Sequence, residues 1–240
     1  MRIRQSFVEL STILKDVRSG RLLPAAFQRP YVWSKDDVLA MCESLLRGIP
    51  IGSFLIWSPG AHEDLSSAAR HRLGPITAST SLGFGYHSML LDGQNRLATL
   101  AWIMNDGSAP IPGDLTDQER GVWGSDVLVL DLGERRLKFV PAAAAAEGFV
   151  IPAWTLIRNP RTNQLCRDLY NTSWSHLSEA ERDAGSEYLD RCIDAFSNAL
   201  VIVTEMQDAT RQEALDAFKH ICRVGVPMSE QDFAVALAAN

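Results

Sequence analysis

The chain has 240 residues, 46% of them hydrophobic, and a formal net charge of −6. That is enough apolar chain for one large domain, or a domain with a helical annex, around a true core. No apolar run approaches the roughly 18 residues a membrane helix needs, and Met1-Arg2-Ile3-Arg4-Gln5 lacks the apolar stretch of a secretory signal, so a cytoplasmic protein with no membrane partner is expected.

The N-terminal stretch Ser6-Phe7-Val8-Glu9 reads as a capping box for a helix carrying Leu10, Ile13, Leu14 and Val17 at helical spacing and ending at Gly20. Residues 21–33 read as extended and proline-punctuated. Ser34-Lys35-Asp36-Asp37 starts a second helix with Val38, Met41, Cys42, Leu45 and Leu46 on its apolar face, closed by Gly48 and Pro50. Residues 51–57 form a strand by β-branched and aromatic content. Residues 58–87 show no periodicity and predict a long loop. Ser88–Leu91 is a short buried strand, and a helix follows from Gln94 to about Asn105 with Leu97, Leu100, Ala101 and Met104 inward.

Further on, Val127–Leu130 and Leu137–Val140 predict two strands joined by Gly133-Glu134-Arg135-Arg136, with Phe149–Ile151 as a short edge. Ser178 caps a helix to about Ser197, Ala199–Thr204 is a buried strand, and Thr210 caps a helix to about Cys222. A last helix begins at Ser229 and still runs at Asn240 without a stop signal, so the natural protein is expected to continue. The pattern predicts an α/β (α+β) chain with a core over 1–150 and a mostly helical extension over 151–240.

The cysteines Cys42, Cys166, Cys192 and Cys222 form no C-x-x-C pair, and the five histidines are dispersed, so neither a zinc site nor an HNH-type nuclease centre is expected. Charge is uneven. Residues 1–100 hold 11 Lys and Arg against 8 Asp and Glu, and residues 101–240 hold 12 against 21, which places any polyanion site in the first hundred residues.

Within that basic portion, Leu90-Leu91-Asp92-Gly93-Gln94-Asn95-Arg96-Leu97-Ala98-Thr99-Leu100 runs a strand into a glycine and at once into a helix. Helix-start amides favour an anion there. Gly93 permits close backbone approach, Arg96 can grip a phosphate, and Asp92 can hold a hydrated Mg2+. Gln94 and Asn95 can contact phosphate or orient a water. The same residues equally fit a plain helix cap by Asp92, with Gln-Asn-Arg as solvated surface. A second segment, Phe27-Gln28-Arg29-Pro30-Tyr31-Val32-Trp33, alternates aromatics with Gln28 and Arg29 and suits a base or nucleotide, or else tucks its rings into the core. A third, Ile49-Pro50-Ile51-Gly52-Ser53-Phe54, reads as a shaped entry to a strand.

In this order the segments F-Q-R-x-Y-x-W, R-G-x-P-I-G and L-D-G-Q-x-R-L-x-T-L resemble GmrSD-type Type IV restriction proteins, a domain shared with SspE-like proteins of phosphorothioate-dependent phage defence. His220–Ser229 resembles the I-N-x-x-G-x-x-L-S stretch of that family. The resemblance implies a ParB/sulfiredoxin-like mixed-sheet core that binds and hydrolyses a nucleoside triphosphate with Mg2+. It also implies DNA, in some members modified, as target, and a C-terminal nuclease domain that the nucleotide site gates. On it, Asp92, Gln94 and Arg96 are the expected catalytic residues, Asp92 also the metal ligand. Gln28, Arg29, Gly93, Asn95 and Thr99 are expected to bind nucleotide. Phe27, Gln28, Tyr31 and Trp33 are expected to sense a DNA modification, which would make a reader with little catalysis the alternative function. A homo-oligomer is compatible with this reading. Asn95, Phe27 and Cys222 depart from the family's usual Gln, Tyr and Asn.

Overall fold

A computed structural model of the chain describes residues 1–60, 72–77, 88–105, 111–146, 149–158, 162–171 and 174–223. In chain order the elements are β1 (Arg2–Glu9), α1 (Leu10–Arg18), β2 (Leu22–Pro24), α2 (Lys35–Leu46), β3 (Ser53–Pro59), β4 (Arg72–Leu73), β5 (Ile76–Thr77), β6 (Ser88–Asp92) and α3 (Gln94–Ile103). There follow α4 (Asp117–Trp123), β7 (Asp126–Asp131), β8 (Arg136–Pro141), β9 (Val150–Pro152), α5 (Trp154–Arg158), α6 (Thr162–Tyr170), α7 (Glu179–Ser197), β10 (Leu200–Ala209) and α8 (Arg211–Arg223). The architecture is mixed α/β, as expected. The chain divides into two compact units, one of residues 1–31, 52–101 and 200–240, the other of 32–51 and 102–199.

The first unit is built on a five-stranded mixed sheet in the order β1-β10-β3-β6-β2. β10 runs antiparallel to β1 and parallel to β3, β3 and β6 are antiparallel, and β6 and β2 are parallel. Its apolar residues pack with α8: Trp57, Met89, Leu91 and Met206 from the sheet meet Phe27, Ala214 and Phe218. The Phe27 and Phe218 rings lie 5.0 Å apart. Trp57, fully buried, has its indole N–H satisfied by donating to the Ala209 carbonyl at 2.8 Å. A buried indole needs such a partner, and this one fastens the end of β10 to β3.

One local expectation is corrected here. Ser6–Glu9 is not a capping box but the end of a strand, paired from Arg2↔Gln207 through Glu9↔Leu200. The helix starts at Leu10, and Glu9 at its N-cap makes no side-chain capping bond. The reason is tertiary: eight residues of ladder outweigh a single cap, and such a ladder cannot be read from four residues. The helical face is as expected, with Leu10, Ile13, Leu14 and Val17 buried.

In the second unit β8-β7-β9 form a three-stranded antiparallel sheet. Trp102 stacks on Trp123 at 5.7 Å and 11°, and the Phe139 ring meets Trp123 edge-on. Ser34, Thr116 and Ser178 each close a reciprocal capping box, with Asp37, Glu119 and Glu181, so α2, α4 and α7 start where their first amides find side-chain acceptors. Burial pushes the Cys42 thiol on α2 up to about 12, which keeps it a protonated apolar side chain.

Of the expected 58–87 loop, residues 72–77 form the small hairpin β4–β5, and 61–71 and 78–87 lie outside the described residues. The helix expected from Ser229 and the motif beyond Arg223 also lie outside them. Among the described residues no helix is long and apolar enough to cross a membrane.

Candidate functional site

The first unit brings three separated segments to one turn. β6 ends at Asp92, α3 begins at Gln94, and Gly93 joins them at φ +96°. That conformation suits glycine. A Cβ on Gly93 would strike the Phe54 ring and stand 3.2 Å from an Arg96 terminal nitrogen. Having no side chain, Gly93 offers no capping oxygen to the helix; its carbonyl accepts from the Leu97 amide at 3.0 Å and opens the helical ladder.

A bulge prepares this turn. Leu55 pairs with Asp92, but the next residue, Ile56, pairs with Leu90, so Leu91 is the extra residue on β6. Bulges re-aim the residues that follow them and leave a carbonyl without its ladder partner. Gln28 supplies that partner. Its side chain is buried, and its amide donates to the Leu91 carbonyl and, at 3.1 Å, to the Leu90 carbonyl. The Leu90 carbonyl also accepts from the Ala25 amide.

Arg96 lies one helical turn above Asp92 and donates to its carboxylate at 3.0 Å. Its guanidinium sits over the Phe54 ring, 5.2 Å from the centroid. It also lies so close to Gly52, at φ +92°, that any side chain there would collide with it. The Arg96 side chain is 17% exposed and that of Asp92 45% exposed, so the pair has a held cation and a more accessible anion. At the first residue of α3 the Gln94 Oε1 atom is buried without a hydrogen-bond partner. Leaving such an atom unpaired costs about 1–3 kcal/mol, so this acceptor suits a donor brought by a ligand or water.

The other expected residues take different places. Thr99 is fully buried, and its hydroxyl is 2.8 Å from that of Tyr31, also buried. Phe27 is in the core against Phe218. Arg29 is exposed and Asn95 half-buried. Trp33 belongs to the second unit, where its carbonyl accepts from the Gln118 side chain. The turn therefore gathers Asp92, Gly93, Gln94 and Arg96, with Gln28 supporting it from within. Phe54 was missed by sequence reasoning, since an aromatic at a strand start reads as core.

A model of the GmrSD restriction endonuclease N-terminal domain matches residues 10–238. The chain belongs to that family. The GmrSD N-terminal match takes in the Asp92–Arg96 turn and four of the five strands of its sheet, β2, β3, β6 and β10, and starts one residue after β1. No curated protein matches the chain.

Among the described residues no group of three or more His, Cys, Asp or Glu side chains could hold a metal ion. Mg2+ takes one or two carboxylates and completes its shell with water and substrate phosphates. Asp92, accessible and single, fits that smaller share.

Proposed function

We propose that the Asp92–Arg96 turn seats the phosphates of a nucleoside triphosphate, and that this GmrSD N-terminal domain hydrolyses it as the sensor part of a DNA-targeting anti-phage restriction protein. On this reading nucleotide turnover gates a nuclease domain of the same protein. The observation that carries it is a side-chain-free helix start with a held guanidinium and a buried, unpartnered Gln94 Oε1 in the first turn of the same helix. A phosphate on the α3 amides gains the favourable end of the helix dipole and paired donors from Arg96. Arg96 exchanges Asp92 for the phosphate, which frees the carboxylate. Asp92 would hold Mg2+, whose charge offsets that of the phosphates. Gln94 accepts a hydrogen bond from the attacking water and orients it, a role open to a neutral amide. Arg29, exposed and next in the chain to the supporting Gln28, is proposed as a further phosphate contact.

The test is phosphate release from a panel of Mg-nucleoside triphosphates by the chain and by its Asp92→Ala, Arg96→Ala and Gln94→Leu variants. Removing one preorganised electrostatic group costs about 100- to 1,000-fold in kcat. Asp92→Ala and Arg96→Ala should fall by that order, and Gln94→Leu should lose kcat with little change in KM. Equal release by all four proteins overturns the proposal.

A further inference from the structure

The second unit contains a cavity of about 600 Å³ between α2, the β7–β8 turn and α7, and its lining is strongly cationic. Arg47, Arg135, Arg136 and Arg191 contribute to it, against one carboxylate, Glu43. Arg47 pairs with Glu43 at 3.4 Å, and Arg136 pairs with Glu134 at 2.5 Å. Among the described residues no carboxylate pairs with Arg135 or Arg191. Two guanidinium groups with no ion-paired carboxylate among the described residues, beside two more, give this cavity a positive field that favours an anion. It is the more pointed because residues 101–240 are net acidic, with 12 Lys and Arg against 21 Asp and Glu.

The turn that presents two of these arginines is held in a costly shape. Arg135 has φ +54°, a left-handed conformation that a long side chain adopts at an energetic cost. Three contacts hold the turn. The Glu134 amide donates to Asp131 at 2.8 Å, Lys138 bridges Asp131 and Glu134, and the Tyr188 hydroxyl donates to the Arg135 carbonyl at 2.8 Å. Burial pushes the Tyr188 hydroxyl up to about 12, so it remains a donor at neutral pH. Its ring lies 5.8 Å from the Arg191 guanidinium. Leu137 and Cys192, both buried, make part of an apolar floor. A ligand that satisfies this cavity is anionic at the rim, apolar or planar in its body, and small enough for a few hundred cubic ångströms.

We infer that this cavity is a second ligand site, separate from the Asp92–Arg96 turn, and that it takes an organic phosphate of mononucleotide size. Its phosphate meets Arg135 and Arg191, its body lies against Tyr188 and Leu137, and Arg47 and Arg136 close the rim. A cavity that takes the body of a molecule distinguishes such a ligand from a nucleic-acid backbone, which needs only a basic surface.

Hydrogen–deuterium exchange of the full chain with ADP, pyrophosphate or adenosine as probe tests this. ADP should slow exchange in peptides covering 132–138 and 186–193, and adenosine, without phosphate, should not. The Arg135→Gly/Arg191→Ala variant should weaken ADP binding at these peptides by about 10- to 100-fold, the loss of two charge-assisted contacts. Glycine tolerates the positive φ at 135, so the variant's unfolding midpoint should not fall below that of the parent chain. Protection should persist in an Arg96→Ala chain, which separates this site from the proposed hydrolytic turn. Three results overturn the inference: no protection by ADP at millimolar concentration, protection that is lost in Arg96→Ala or unchanged in the double variant, or protection given only by a single-stranded oligonucleotide.

Discussion

Gly93 carries more of the candidate site than any charged neighbour. At φ +96° with the Phe54 ring against its Cα, it is closed to side chains twice over, by backbone strain and by space. Gly93→Ala should lower stability by about 1–3 kcal/mol, read as a drop in urea midpoint at constant slope. An unchanged midpoint would mean that the turn is not held in this shape. At this scale the sequence was informative about chemistry and less so about posture. Asp92, Gln94 and Arg96 were recognisable as a group because they are neighbours on one turn. The bulge at Leu91 was not, because it exists only when β6 lies beside β3. Gln28 reads from sequence as a ligand contact, yet it is buried with its amide on the Leu90 and Leu91 carbonyls. A polar residue between aromatics looks the same whether its amide meets a phosphate or a strand.

At the scale of elements, caps and ladders account for most of what could and could not be foreseen. The boxes at Ser34 and Ser178 are legible because long apolar-periodic helices follow them, whereas the equivalent box at Thr116 opens a helix of only seven residues, too short to show a period. Thr116→Ala should cost about 1 kcal/mol, measured by thermal or urea unfolding, since the hydroxyl accepts from the Glu119 amide at 3.2 Å. No loss would show that the α4 start is held by packing alone. Ser6–Glu9 makes the contrary point: the same pattern is a strand end when a partner such as β10 is present.

The β7–β8 turn adds a pH dependence. Burial raises the Asp131 carboxyl, but the Glu134 amide and Lys138 outweigh it and hold it below its ordinary value. Hydrogen bonds from Lys138 and Arg136 lower the Glu134 carboxyl as well. The same carboxylates raise Lys138. The carboxylate contributions are therefore present above roughly pH 4 and lost as pH falls through the lowered values. That of Lys138 is present below roughly pH 10.4 and lost as pH rises through its raised value. The stability difference between the chain and Lys138→Met should be flat between about pH 5 and 9 and shrink on either side. A difference independent of pH from 3 to 11 would show that the ion pairs contribute nothing.

At the scale of the whole molecule, the order of strands differs sharply from the order of the chain. β10 pairs with β1 on one side and with β3 on the other, yet it follows the whole of the second unit in sequence. A chain ending at Ala199 would leave β1 without a partner and β3 with an open edge. It should fail to form the first unit, seen as loss of its cooperative unfolding transition and as aggregation. A soluble, cooperatively folded 1–199 fragment would contradict the pairing. This interleaving is also why the unit boundaries were not visible in sequence: composition changes along the chain, whereas the units are assembled from two and three separate stretches.

The position of β10 also sets a clock on synthesis. The Asp92–Arg96 turn leaves the ribosome roughly 100 residues before Leu200–Ala209 do, an interval of about 5–20 s at usual elongation rates. Until then β3 has no strand on its far side, and the Trp57 indole has no Ala209 carbonyl to bind. The residues of the candidate site are thus translated early and completed late, so a nascent chain carries every site side chain well before it carries a finished site.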